Sequence, residues 1–239
     1  MNSVDQNELQ QLRISASQQR QAIQHLVVDL DDMHHQLDSL AETEARVRQL
    51  AGLDRLSPGV PIAIGGLPDA DHTATIDQVQ TRINKLQIAL ELRRQSQEVV
   101  RNLLNDRISI SRAIPKGWPT EGWLTSYFGM RKSPFTGQRV MHEGLDIAAS
   151  IGTPVVATAD GVVARVGYSS GYGKMVVIDH GYGYRTIFGH NSKILVKAGQ
   201  KIKRGDVIAK VGNTGRSTGS HLHYELRLKG VPIDPRKTL

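Results

Sequence analysis

A 3,4 alternation runs from Leu9 through Leu12, Ala16, Gln19, Ile23, Leu26, Leu30, Met33, Leu37, Leu40, Glu44 and Val47 to Ala51, apolar except at Gln19 and Glu44 and with no proline inside it. Such an alternation holds one stripe along one side of a helix, as in a coiled-coil seam. Gly52 stops the pattern, and Pro58, Gly59, Pro61, Gly65, Gly66 and Pro68 predict a loop. A second alternation runs from Ile76 through Val79, Ile83, Leu86, Leu90, Arg93, Gln97, Val100 and Leu104, after the cap candidates Thr73 and Thr75. Helices are therefore expected over about residues 5–52 and 74–109, roughly 65–70 Å and 45–50 Å long. Neither can bury its stripe alone. An antiparallel hairpin is expected, its longer arm leaving an end free for a partner or for self-association. His25, His34, His35 and His72 read as solvated positions on or beside these helices.

Past Pro115 the period changes. Short runs such as VVARVGY, KMVVID, YRTIF and DVIAKVG, rich in β-branched and aromatic residues, lie between glycine-rich turns, and 19 of the 23 glycines fall in residues 116–239. This predicts an antiparallel β domain of short strands. The fold class is α+β, with a coiled-coil hairpin over residues 1–112 followed by a β domain over 113–239.

Charge divides at the same place. Residues 1–115 carry net −3 and residues 116–239 net +10, together the +7 of the whole chain. A basic β domain suits an anionic partner. The absence of a continuous basic run or a recognisable binding motif argues against nucleic acid. With no cysteine, a metal can be held only by His, Asp or Glu. The first residues lack the basic and apolar regions of a signal peptide, and no run of about 18 apolar residues occurs. A soluble chain is expected, compatible with a membrane anchor upstream of it.

Candidate chemistry lies in SHLHYELRL, Ser220 to Leu228. As a strand it sends His221, His223, Glu225 and Arg227 to one face and Leu222, Tyr224, Leu226 and Leu228 to the other. In MHEGLDIAA, His142 and Asp146 are an even number of residues apart and can face the same way. Adding one imidazole, from His221 or His223, gives two nitrogens and a carboxylate oxygen, a set that suits zinc. Three protein ligands leave a fourth position for water, as in catalytic sites.

HEGLD, GTPVVATADGVV, GYG, IDHG, FGH, GNTGRSTGSHLHYE and IDP, in that order over about residues 118–239, resemble the lysostaphin-type (LytM-domain) zinc metallopeptidases, which are peptidoglycan endopeptidases. The resemblance implies that His142, Asp146 and His223 bind Zn2+ and that His190 and His221 are the catalytic histidines, one acting as general base and the other on the oxyanion or leaving amine. It implies metal-assisted hydrolysis of peptide cross-links, D-alanyl to meso-diaminopimelate where a long coiled coil accompanies the domain, with pentaglycine as the alternative. A periplasmic or envelope location, anchored upstream, follows from the same resemblance. Glu225 or Ser217 could orient the ligands, and Glu225 could equally be an exposed strand carboxylate. Arg131 and Tyr127 either line the groove or pack, and His180 is structural. Two rival readings use the same strands: a LytM-type activator of cell-wall amidases, and a lipoyl-module membrane-fusion adaptor. Neither needs all five candidate residues. The helices are expected to limit access to the site or to recruit an envelope partner.

Overall fold

The computed structural model describes residues 3–53 and 75–239, with side chains from residue 6 onward. The expected loop with its prolines and glycines, Thr73 and His72 lie outside the described residues. Two compact units divide the chain, Met1–Asp106 and Arg107–Leu239.

The first unit holds helix α1, Ser3–Leu50, and most of α2, Ile76–Ala113. Gly52, with φ of 59°, ends α1 in a Schellman turn: its N–H donates to Gln49 O at 2.9 Å while the Leu53 N–H donates to Arg48 O at 2.9 Å. Thr75 starts α2 with a capping box, since its N–H donates to Gln78 Oε1 at 2.8 Å and its hydroxyl accepts from the Gln78 N–H at 3.4 Å.

The helices run parallel, which corrects the expected antiparallel hairpin. Ile23, Val27, Leu30 and Leu37 of α1 cluster with Val79, Ile83 and Leu86 of α2. Further along both helices, Glu44 accepts from Arg93 at 3.1 Å and bonds Ser96, while Arg48 donates to Ser96 at 3.0 Å. In an antiparallel pair, stepping back along α1 from Glu44 would lead past Arg93 towards the end of α2; here it leads back to Val79. The 3,4 alternation is the same for both directions, and the residues between the helices are numerous enough to span the return. Part of the expected seam is also unburied: Leu26 (45%), Met33 (50%), Leu40 (39%) and Val47 (37%) remain exposed.

In the second unit, β1 (Trp123–Ser126), β2 (Gly129–Lys132), β3 (Arg139–His142) and β4 (Leu145–Ala148) come first. Then follow β5 (Pro154–Val156), β6 (Gly161–Ser169), β7 (Gly173–Gly181), β8 (Tyr184–Asn191), β9 (Lys193–Ile194) and β10 (Lys201–Ile202). The last are β11 (Val207–Lys210), β12 (His221–Leu228) and β13 (Val231–Ile233). The main sheet is antiparallel in the order β1-β4-β12-β8-β7-β6-β10, with β13 against β12, while β5-β11-β9 and β2-β3 form two smaller sheets. Phe188, Leu222, Tyr224, Ile178 and Val176 on one face of the main sheet join Val155, Ile208 and Val211 in one apolar cluster. The Tyr224 hydroxyl within that cluster is satisfied by Thr158 Oγ1 at 2.9 Å. Arg204 binds the last turn of α2 to this unit by donating to Ser111 O at 3.1 Å and Ile114 O at 2.9 Å, a cation placed where helix carbonyls are unpaired.

Candidate active site

The face of the main sheet opposite the core carries the polar cluster, and register builds it. On β12, His223 stands opposite Asp146 of β4 on one side and Gly189 of β8 on the other. His142 arrives from the end of β3 through the tight link Glu143-Gly144. Gly144 passes so close to β12 that a Cβ there would lie 2.4 Å from Tyr224 O and 3.0 Å from His223 Cε1, so only glycine brings His142 beside His223. By strict alternation His190 would follow Phe188 to the core side of β8. Its backbone φ of 61°, a conformation unusual outside glycine, turns the ring towards His221 instead, with ring centroids 4.6 Å apart.

His142 Nε2, Asp146 Oδ1 and His223 Nδ1 form a triangle with edges of 3.2, 3.2 and 2.8 Å. All three residues are buried. The outer nitrogen of each ring is committed to an acceptor: His142 Nδ1 donates to Tyr127 O at 2.7 Å, and His223 Nε2 donates to Glu225 Oε1 at 3.1 Å. The neutral rings therefore turn two lone pairs and a carboxylate oxygen on one point. Such a triangle requires positive charge. A proton can bridge one edge, whereas a metal bound at about 2.0–2.2 Å to nitrogen and oxygen satisfies all three atoms at once, so the residues fit a metal.

Electrostatics agree with this geometry. Burial works against the Asp146 carboxylate, but His142 and His223 outweigh it and hold its pKa well below the usual carboxylate range. Burial likewise pulls His223 down, and its bonds to Asp146 and Glu225 overcome that and raise it to about 9. Proton and metal thus compete for the same nitrogen. Burial lowers His190 to about 4 despite its bond to Thr214, leaving the ring neutral at physiological pH.

The other two rings are anchored in the same manner. His190 Nδ1 donates to Thr214 O at 2.8 Å. His221 Nδ1 donates to Gly219 O at 2.8 Å, with Ser217 Oγ 3.1 Å away. Among the described residues neither Nε2 has a hydrogen-bond partner, and His221 Nε2 lies 3.6 Å from Asp146 Oδ1. Together these groups line a cavity of about 380 Å³.

Of the residues left open by sequence, Glu225 is 1% exposed and accepts from Tyr172 Oη at 2.6 Å and Arg227 Nε at 2.8 Å as well as from His223. Ser217 meets His221. Arg131 donates to Asp146 Oδ2 at 3.1 Å, on the side away from the triangle, while Tyr127 contributes its backbone carbonyl. His180 lies outside the cluster, bonded to Asp160 O at 2.7 Å and Thr186 Oγ1 at 2.8 Å. Sequence reasoning missed Tyr172 and Arg227 as supports of Glu225; alternation put Arg227 on the right face, and Tyr172 lay inside the GYG motif with no role assigned to it.

A buried triangle of two imidazoles and a carboxylate, faced by two further imidazoles in one cavity, defines a metallohydrolase type of site. Residues 140–235 match the family model of Peptidase family M23, and the chain belongs to that family. The peptidoglycan DD-endopeptidase ShyA of Vibrio cholerae is 45% identical over 131 residues, 54% of this chain and 30% of the relative. The DD-carboxypeptidase/endopeptidase Mpg of Neisseria meningitidis is 46% identical over 112 residues, 47% of this chain and 26% of the relative. Among solved structures, the catalytic domain of the prophage-encoded M23 protein EnpA from Enterococcus faecalis is 35% identical, with 52% of this chain and 96% of that one covered and a TM-score of 0.46. The chain spans about a quarter of the length of the curated relatives, 22% of a Haemophilus influenzae metalloprotease and 30% of ShyA.

Proposed function

We propose that this chain is a zinc-dependent endopeptidase that hydrolyses peptide cross-links of bacterial peptidoglycan, the D-alanyl to meso-diaminopimelate bond being its target. The observation that carries the reading is the convergence of His142, Asp146 and His223 on one point, with the free nitrogens of His190 and His221 beside it. The names of the M23 relatives supply the substrate class. The +10 charge of residues 116–239 favours an anionic polymer.

Zinc held by His142, Asp146 and His223 would supply Lewis acidity to the scissile carbonyl and to a bound water. His221, the nearer of the two free imidazoles to Asp146, takes the proton of the attacking water as general base. His190, neutral and fixed by Thr214, orients the scissile carbonyl or leaving amine from the other side of the cavity. Arg131 and Glu225 hold the ligands in place. The proposed location is the periplasm or cell envelope. The two helices are proposed to restrain the site or recruit an envelope partner, and the exposed stripe of Leu26, Met33, Leu40 and Val47 offers a surface for the latter.

The test is zinc content and digestion of purified sacculi by the wild type and by His142→Ala. Stoichiometric zinc and new D-alanyl ends, both lost in the variant, are expected. A wild type that binds no zinc or leaves every cross-link intact overturns the reading.

A further inference from the structure

The proposed substrate is a peptide whose diamino acid carries a free carboxylate next to the scissile bond, and one cationic group in the cavity wall is left over to meet it. The other charged, non-histidine side chains that line the cavity are already matched: Arg131 with Asp146 at 3.1 Å, and Glu143 and Glu225 each with Arg227, behind the wall, at 2.7 Å. Arg216 also lines the cavity, but among the described residues its guanidinium has no carboxylate partner. Its Cζ instead lies 4.4 Å from the centroid of the Phe135 ring. An exposed arginine without a partner is ordinarily mobile and solvated, yet this one is held at both ends.

Its backbone N–H donates to Gly171 O at 3.2 Å. The preceding Gly215 packs against Gly173 so closely that a Cβ on Gly215 would lie 2.2 Å from the Gly173 nitrogen. The following residue, Ser217, touches His221. The loop that aims the proposed general base therefore also carries Arg216. Phe135 comes from the turn between β2 and β3, where its N–H donates to Ser133 Oγ at 3.2 Å. Stacking on a ring fixes the plane of a guanidinium while leaving its N–H edge free, and that edge is the part that grips a carboxylate with two parallel hydrogen bonds.

We infer that Arg216, seated on Phe135, forms a subsite for a substrate carboxylate beside the scissile amide, and so favours anionic stem peptides over neutral glycine bridges. The inference rests on the peptidase reading above and deepens it. Arg216 lines the same cavity of about 380 Å³ as His142, Asp146 and His223, so a peptide whose amide sits at that triangle presents its flanking groups to the space that Arg216 borders. A charge-assisted bidentate contact of this kind is worth roughly ten- to hundredfold in discrimination.

The test uses the full chain, zinc-loaded, with two synthetic cross-linked peptides that differ only in whether the diaminopimelate carboxylate next to the scissile bond is free or amidated. The readout is the ratio of kcat/KM for the two. The wild type is expected to favour the free acid about ten- to hundredfold, and Arg216→Gln to bring the ratio close to one while retaining its zinc; Arg216→Lys, which keeps the charge but loses the fork, should fall between. A wild-type ratio near one overturns the subsite and leaves the peptidase reading standing, as does an equal fall on both peptides in Arg216→Gln. Cleavage of neither peptide by the wild type overturns the peptidase reading itself.

Discussion

Replacing Glu225 by glutamine tests whether the proposed metal ligands are set from outside. The carboxylate is buried and receives four donors: His223 Nε2 at 3.1 Å, Tyr172 Oη at 2.6 Å, Arg227 Nε at 2.8 Å and Arg227 Nη2 at 2.7 Å. Glutamine keeps the shape but offers one oxygen and turns an N–H group towards those donors. Arg227 retains Glu143 at 2.7 Å, so the fold survives with a loss of about 1–3 kcal/mol for the unmatched polar groups. The effect on the metal is larger relative to its scale. Losing the acceptor that fixes a histidine tautomer costs about 10–100-fold in metal affinity, or about 1.4–2.7 kcal/mol. Glu225 also helps hold His223 up at about 9, so the variant loses proton affinity along with metal affinity. Below that pKa the two losses partly cancel, and the fall in apparent zinc affinity should therefore be smaller at pH 7 than at pH 9.5. Competition against a chromophoric zinc chelator at both pH values measures this. A variant whose zinc affinity stays within twofold of wild type at pH 9.5 would show that the outer bond does not set the ligand.

Three further outcomes follow from other parts of the molecule. Gly144→Ala places a Cβ 2.4 Å from Tyr224 O, which forces β3 and β4 away from β12; zinc affinity should fall at least tenfold, and denaturant midpoints should register an overpacking cost of about 1–3 kcal/mol. His180 is buried, and burial lowers its pKa from the usual 6.5. The unfolded chain then binds its proton more readily, so the stability it contributes is fully present above pH 6.5 and is lost as the pH falls below it. Urea melts of His180→Asn should show a shallower decline than wild type across that window, by at most about 1.4 kcal/mol per pH unit, and parallel curves would contradict the assignment. Because the chain has no cysteine, Leu37→Cys paired with Leu86→Cys reports the helix direction. Rapid intramolecular disulfide formation is expected, while efficient coupling of Leu30→Cys with Val100→Cys instead would restore the antiparallel hairpin.

The sequence made some features legible because they are local. The period of β12 separated Leu222, Tyr224 and Leu226 from His221, His223 and Glu225, and the core accepts the first set at 0–1% exposure. Thr75 and Gly52 announced the helix ends through their capping chemistry. What stayed hidden depends on partners distant along the chain. Glu44 looked like a flaw in an apolar seam, yet it anchors a buried polar layer with Arg48, Arg93 and Ser96. Helix direction was invisible because a heptad stripe is indifferent to it. Alternation along β8 pointed His190 towards the core, and only a left-handed backbone step reverses that. Tyr127 takes part through a carbonyl, for which no side-chain pattern exists.

The two faces of β12 also set an order of assembly. Leu222 and Tyr224 belong to an apolar cluster that extends from Val155 to Val211 and contains none of His142, Asp146 or His223. Small zinc domains that lack such a cluster fold only as they capture the ion. Here the hydrophobic effect can complete the sheet first, and the register of β4, β12 and β8 then delivers the ligands already aligned. Metallation at the proposed ligands is then expected to come late, on a finished scaffold, so a chelator should withdraw the ion, and added metal restore it, without passage through the unfolded chain.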